Sequence, residues 1–328
     1  MASQTNAQIP VDSGHNAGSM TPTREHHHFD ESLTTQVIAA TGPNAHPRLA
    51  SILPSLVKHL HSFMRESKIT NQELMAAFDL VSTFTLRIGE KAESDTLLSK
   101  LAWAGKMTDD KRHEVLLVGD VFGLEPLADE ITYALAADGS TIPTVLGPFW
   151  RAGAPVRNMG DSIVFGIESG DHTFMHGRIL DAQTAEPIEN AELDIWETAP
   201  NGKYEQQDPN QVDMNLRGRF RTTEDGSYNL YCLRPTTYAI PQDGPAGRLL
   251  QLLDRHPMRP AHIHCIVTAV GYKPLTTELF DRRDRHVYDD AVFAVKEDLI
   301  VDFVPKKGDP KARFDLDYTF RLARQKVL

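Results

Sequence analysis

The sequence predicts an α+β protein: a helical N-terminal domain followed by an antiparallel β-sandwich. Three observations predict this. Leu49, Ile52, Leu53, Leu56, Val57, Leu60, Phe63 and Met64 recur at the spacing of a buried helical stripe. Thr70-x-x-Glu73 is a capping box ahead of the apolar run LMAAFDLV. Beyond Ser140 the helical texture gives way to short alternating or apolar runs, divided by TAPNGK, TEDGS and PQDGPAG. Asn-Gly and Asp-Gly in these dividers are strong hairpin signals.

In chain order, residues 1–30 are rich in Ser, Thr, Asn, Gly and Pro and read as a flexible tail. Its His26–His28 run lacks the preorganised geometry a metal site needs. Residues 31–138 form the helical domain. Its first long helix starts near Arg48, and Pro54 should kink or restart it. His59 and His61 fall about 200° apart on a helix and cannot share a metal. A third helix is expected from about Thr108 through HEVLLVGDVFGLEPLADEITYAL. Residues 139–328 form the sandwich, with strands expected in DSIVFGI, HTFMHGRILD, AELDIWET, RGRFRTTEDGSYNLYCL, AHIHCIVTAVGY, EDLIVDFVP and ARFDLDYTF.

Composition narrows the function classes. A net charge of -11 argues against a nucleic-acid-binding face. No apolar run approaches the roughly 20 residues of a membrane span. The N-terminus lacks a secretory pattern, and two cysteines, Cys232 and Cys265, exclude a disulfide framework or a Cys-based zinc site. The expected compartment is the cytoplasm. Any metal must use His and oxygen ligands.

His262 and His264, in RPAHIHC, stand one residue apart on an expected strand, so both rings face one side. Two buried histidines bonded to carbonyls would give the same pattern. A divalent-metal hydrolase completed by an acid such as Asp281 is another reading. Upstream, Tyr204 follows an Asn-Gly turn in WETAPNGKY, and Tyr238 lies between two prolines in LRPTTYAIP. Each alone reads as a half-buried tyrosine with its hydroxyl bonded.

Together these residues carry a specific resemblance. DIWETAPNGKY, MNLRGRFRTTEDGSY, RPTTYAIPQDGPAG and LLDRHPMRPAHIH resemble the intradiol ring-cleaving dioxygenases, the family of catechol 1,2-dioxygenase and hydroxyquinol 1,2-dioxygenase. The spacing Tyr204–Tyr238–His262–His264 is 34, 24 and 2 residues, matching that family's two-Tyr, two-His iron site. VLGPFWRAGAP and LVKHLHSFMRESKITNQE extend the likeness to nearly everything but the tail. The resemblance implies Fe(3+) held by these four residues, a catechol-type diol and O₂ as substrates, and ring cleavage to a cis,cis-muconate-type product without an organic cofactor. It implies that the diol displaces Tyr238 while Tyr204 stays bound, and that Arg259 sits beside the substrate, Pro260 bending the chain to place it. Hard Fe(III) suits anionic oxygen donors, and two tyrosinates plus a hydroxide would balance its charge.

Substrate choice follows from the same likeness. YAIPQDGPAG and DDAVFAVKEDLIVDF look closer to hydroxyquinol enzymes, whose product would be maleylacetate, than to bacterial catechol enzymes. The implied pocket is Leu117, Asp120, Val145, Pro148, Phe149, Ile240, Pro241 and Val292, with Asp120 the group that could meet a third ring hydroxyl. Glu278 stands where many catechol enzymes have glutamine, and a carboxylate there would repel a ferric catecholate unless protonated or turned away. Residues 45–137 of the helical domain are expected to join two subunits and, as in the family, can bury a lipid between them. GRILDAQTAEPIENAELDIWETAPNGKY also resembles transthyretin-like sandwiches, which bind without catalysing. The full Tyr–Tyr–His–His set is what separates the two readings.

Overall fold

The structure, a computed structural model, describes residues 31–89, 103–136, 139–166 and 169–325. The expected tail with its His26–His28 run, and the boundary at Asp138, lie outside the described residues. Helices α1 (Ser32–Ala39), α2 (Pro47–Ser67), α3 (Asn71–Gly89), α4 (Glu114–Val121) and α5 (Leu124–Ala136) precede the strands, and α6 (Pro245–Leu252) lies among them. The strands are β1 (His172–Asp181), β2 (Glu192–Trp196), β3 (Arg217–Arg221), β4 (Ser227–Leu233), β5 (Tyr238–Ala239), β6 (Met258–Arg259), β7 (His262–Thr268), β8 (Leu275–Asp281), β9 (Ile300–Val301), β10 (Val304–Pro305), β11 (Phe314–Asp317) and β12 (Phe320–Leu322). One sheet runs β10-β11-β1-β12 with β4 also on β1, a second runs β3-β2-β7-β8-β9, and β5-β6 is a separate ribbon. Pairing is mostly antiparallel, but β1 is parallel to β11 and β12, and β8 to β9.

The sandwich core is built by alternation. Ile263, Cys265 and Val267 of β7 join Leu193 and Ile195 of β2 and Met175 and Ile179 of β1 between the sheets. The opposite parity of β7, His262 and His264, is thereby pushed to the outer face of its sheet. A second apolar cluster packs Leu53 and Val57 (α2), Leu116 and Leu117 (α4), Leu127 and Ile131 (α5) and Leu250 (α6). The strand-rich half thus lends a helix to the helical half.

Several expectations need correction. α2 begins at Pro47, whose missing N–H costs nothing in a first turn, and runs through Pro54 without restarting. Its apolar stripe is split: Leu53, Val57 and Met64 are buried, whereas Ile52, Leu56 and Phe63 are exposed. The third helix is broken between α4 and α5, because Gly123 adopts φ +69 and Pro126 follows. DSIVFGI makes only an isolated bridge, Ser162 to Tyr231. The capping box holds: Thr70 N donates to Glu73 Oε2 at 2.9 Å, and Glu73 N to Thr70 Oγ1 at 3.4 Å. His61 is buried and bonded to Thr34 and the Phe122 carbonyl, while His59 stays exposed.

One buried acid outside the helices makes a pH prediction. Glu197, just past β2, accepts from Leu233 N at 2.8 Å through Oε1, and its Oε2 has no partner. Burial pushes its pKa from 4.5 up to about 8. Between those values the unfolded chain is ionised while the folded one keeps its proton. Stability therefore falls as pH rises, by at most about 1.4 kcal/mol per pH unit from this group. Denaturant titrations at pH 5 and pH 8 should show Glu197→Gln gaining on the wild type at the higher pH. Equal slopes in the two proteins would remove Glu197 as the cause.

Candidate metal centre

The strand register assembles the first half of the site. His264 pairs with Trp196 of β2 on one side and with Glu278 of β8 on the other. The Trp196 indole lies flat on the His264 ring, centroids 4.6 Å apart and planes at 4°. Gly147 closes in on the ring as well: at φ +74, an added Cβ would lie 3.1 Å from His264 Cε1. His264 is thus fixed in rotation by packing before any ligand is considered. The second half comes from turns. Gly202, at φ +74, closes the turn in which Gly202 N donates to Ala199 O and Ala199 N to Lys203 O. Tyr204 follows at once, its N–H held by Gln207 Oε1 at 3.0 Å. Tyr238 sits in β5, directly opposite Arg259 of β6.

The four side chains converge. Tyr204 Oη lies 2.9 Å from His264 Nε2 and 3.3 Å from Tyr238 Oη, and the two histidine Nε2 atoms are 3.2 Å apart. All four residues are at most 6% exposed. His262 Nδ1 lies 2.7 Å from the Pro260 carbonyl, so Nδ1 carries the proton and Nε2 turns a lone pair to the centre. His264 Nδ1 lies 3.3 Å from Glu278 Oε1 but makes no hydrogen bond, and its Nε2 faces the same centre. Burial and the nearby Arg259 hold the His262 pKa well below its ordinary value; burial, His262 and Arg259 do the same for His264. Both rings are thus held toward the neutral form, and their Nε2 atoms face Arg259 Nη1 and Tyr204 Oη, respectively, across the centre. Burial, then the neighbouring phenol, pushes Tyr204 well above 10, and burial raises Tyr238 against the pull of Arg259. Without a cation these phenols remain protonated at neutral pH.

Arg259 is 2% exposed, and four of its five N–H groups go to carboxylates. Nη1 and Nη2 donate to Glu278 Oε1 and Oε2 at 2.9 and 3.0 Å. Nε and Nη2 donate to Asp290 Oδ1 and Oδ2 at 3.2 Å each. Nη1 also lies 3.3 Å from His262 Nε2. Glu278 is paired with this cation, while its Oε1 also lies 3.5 Å from His262 Nε2, among the ligand-type atoms of the centre; burial pushes its pKa to about 7. The bend at Pro260 appears as expected, since Arg259 belongs to β6 and the histidines to β7.

The pocket positions are less uniformly gathered. Phe149 packs against Tyr204, ring centroids 4.9 Å apart, and Val292 lies beside Asp290, its N–H bonded to that carboxylate at 3.2 Å. Leu117 and Ile240 belong to the helical cluster and Val145 to the sandwich core. Pro148 and Pro241 are half-buried. Asp120 is buried with Oδ1 unpartnered, and burial plus the Glu125 carboxylate push its pKa far up; Arg259 is the cation that opposes this. Asp281 does not join the histidines: it takes Arg234 at 2.6 Å. Asp290 and Trp196 had no distinguishing sequence signal, one in an acidic turn and the other within a strand.

A second cluster, His256, His286 and Asp289, has ligand-type atoms in proximity. Met258 N donates to His256 Nδ1 at 3.1 Å, so Nε2 carries the proton facing Asp289 at 2.9 Å. That is a hydrogen bond, not a preformed metal ligand.

This geometry agrees with comparison to known proteins. The family model described as "Dioxygenase" matches residues 145–324, and "Catechol dioxygenase N terminus" matches residues 46–99. Intradiol ring-cleavage dioxygenase prcA of Aspergillus niger is 41% identical over 302 residues, covering 91% of this chain and 90% of that protein. Catechol 1,2-dioxygenase of Candida albicans is 37% identical, covering 90% and 93%. The solved hydroxyquinol 1,2-dioxygenase of Pseudomonas putida DLL-E4 superposes with a TM-score of 0.63 at 33% identity, over 89% of this chain and 98% of that one. Likeness at this level, over both halves of the chain and around four convergent donors, makes the protein a member of the intradiol ring-cleavage dioxygenase family.

Proposed function

We propose that the protein is a non-haem Fe(III) dioxygenase that cleaves a catechol-type ring between its two hydroxylated carbons, with Tyr204, Tyr238, His262 and His264 as the iron ligands. The observation that carries this reading is the 2.9–3.3 Å convergence of two phenol oxygens and two neutral imidazole nitrogens in a buried space. The donor set fits: two hard, ionisable oxygens suit a trivalent hard cation, and a trivalent cation is what would draw the protons from phenols held above pH 10. Bound there, ferric iron supplies a centre that chelates both diol oxygens and renders the ring reactive toward O₂.

The chain's own residues do the rest. Tyr238 Oη, if ionised, would be a base of suitable strength for a substrate hydroxyl proton. Trp196 and Gly147 hold the His264 ring against rotation. Arg259 offers one N–H to negative charge on the bound diol, in a site dry enough for that to count. The favoured diol is hydroxyquinol, with Asp120, buried beside Glu125, as the group that would meet a third ring hydroxyl; catechol is the alternative. Anaerobic addition of each diol to iron-loaded protein tests both claims. A red protein whose visible band shifts with the diol, and which releases a ring-opened acid on admission of O₂, is expected, with tighter binding of hydroxyquinol. A colourless protein that takes up no iron would sink the reading.

The exposed apolar face of α2, Ile52, Leu56 and Phe63, supports a homodimer through the helical region, and the family likeness adds a lipid between the subunits. Light scattering should give twice the 36.6 kDa chain mass; a stable monomer would overturn the dimer. No helix among the described residues is long and apolar enough to cross a membrane, and Cys232 and Cys265 are free and buried, in keeping with the cytoplasm.

A further inference from the structure

The Arg259 guanidinium has five N–H groups in a rigid plane. Asp290 takes the Nε edge, Glu278 takes the far end, and together they occupy four of the five. The remaining N–H, on Nη1, points at His262 Nε2, that is, into the site. Glu278 is fixed by the sheet, as the register partner of His264. Asp290 comes from a loop, yet it is 8% exposed and its carboxylate also accepts from Val292 N and Ala294 N at 3.2 and 3.1 Å. The same loop is tied to β6 by Ala291 N donating to Met258 O at 3.0 Å.

We propose that Asp290 is the positioning residue for Arg259: it holds the Nε edge so that the single uncommitted N–H is aimed at the bound substrate, and it links that aim to the turn carrying Val292. End-on pairing to Glu278 alone would leave the guanidinium free to swing about the carboxylate axis. A side-on partner stops that swing and fixes which N–H is left over. Asp290 touches neither the iron ligands nor the diol; it acts through Arg259. The proposal rests on the dioxygenase reading for its catalytic meaning, but the clamp itself does not need that reading.

The first test therefore needs no turnover. Arg259→Ala opens a slot between two carboxylates, and guanidinium ion should bind it measurably by calorimetry. Adding Asp290→Asn should weaken that binding by about tenfold or more, the scale of a charge-assisted bidentate contact. Equal binding to Arg259→Ala and the double variant would overturn the proposal. In iron-loaded protein, guanidinium should restore part of the ring cleavage lost in Arg259→Ala and none in the double variant. Asp290→Asn alone, and the charge-keeping Asp290→Glu should the first fold poorly, should lower kcat by about tenfold while KM, iron content and the resting band stay near wild type. A kcat within twofold of wild type would overturn it. If the wild type cleaves no diol, the functional reading fails, and the calorimetric result still decides whether Asp290 holds the cation.

Discussion

Tyr204→Phe should give a folded protein that binds ferric iron poorly and has lost most of its red colour. The phenyl ring keeps its packing on Phe149 and its edge against Tyr238, so the sandwich has no reason to change. What disappears is the oxygen 2.9 Å from His264 Nε2. Loss of a group that merely hydrogen-bonds a metal ligand costs roughly 10–100-fold in affinity. Removal of an anionic ligand should exceed that, because the remaining donors no longer balance a trivalent charge. The iron-free protein should keep its stability within about 1–2 kcal/mol, since only two neutral bonds, to His264 and Tyr238, are lost. Iron analysis, the visible spectrum and a denaturation curve check all three. Full iron content with an unchanged band would remove Tyr204 from the ligand set.

Arg259→Ala should be nearly as damaging by a different route. Iron and colour should persist, because no donor to the centre is removed. Ring cleavage should drop by about 10²–10³ in kcat, the range for deleting one preorganised charge-stabilising donor in a dry site. Stability should fall as well, by about 3–5 kcal/mol, since Glu278 and Asp290 are left buried without their cation. Arg259→Lys separates charge from shape: an ammonium restores the charge but cannot serve both carboxylates in plane while aiming a donor inward. Its kcat should stay well below wild type although its stability recovers. If Arg259→Ala keeps kcat within threefold, the arginine has no part in the reaction.

Much of this molecule was legible before any coordinates. Period-2 alternation put His262 and His264 on one face, and turn chemistry marked where Tyr204 would emerge. What escaped did so for physical reasons. Strand β8 buries Thr277, Glu278 and Asp281, polar residues that hide a strand because their partners are brought by other elements. Helix α6 begins inside PQDGPAG, which reads as a turn until Pro245 serves as a first helical residue. Asp290 looks like one of several acids in a surface loop, and only the fold brings it to an arginine 31 positions earlier. The break between α4 and α5 was visible as Gly123, but the apolar pattern ran through it.

The two-residue ribbon of β5 and β6 has a mechanical consequence. It places Tyr238 and Arg259 as register partners, and the Arg259 end is anchored to the sheet through Glu278. If Tyr238 and Arg259 serve the proposed reaction, the spacing between the phenol and the cation is set by backbone pairing, and a ring of the wrong width cannot be accommodated by moving one without the other.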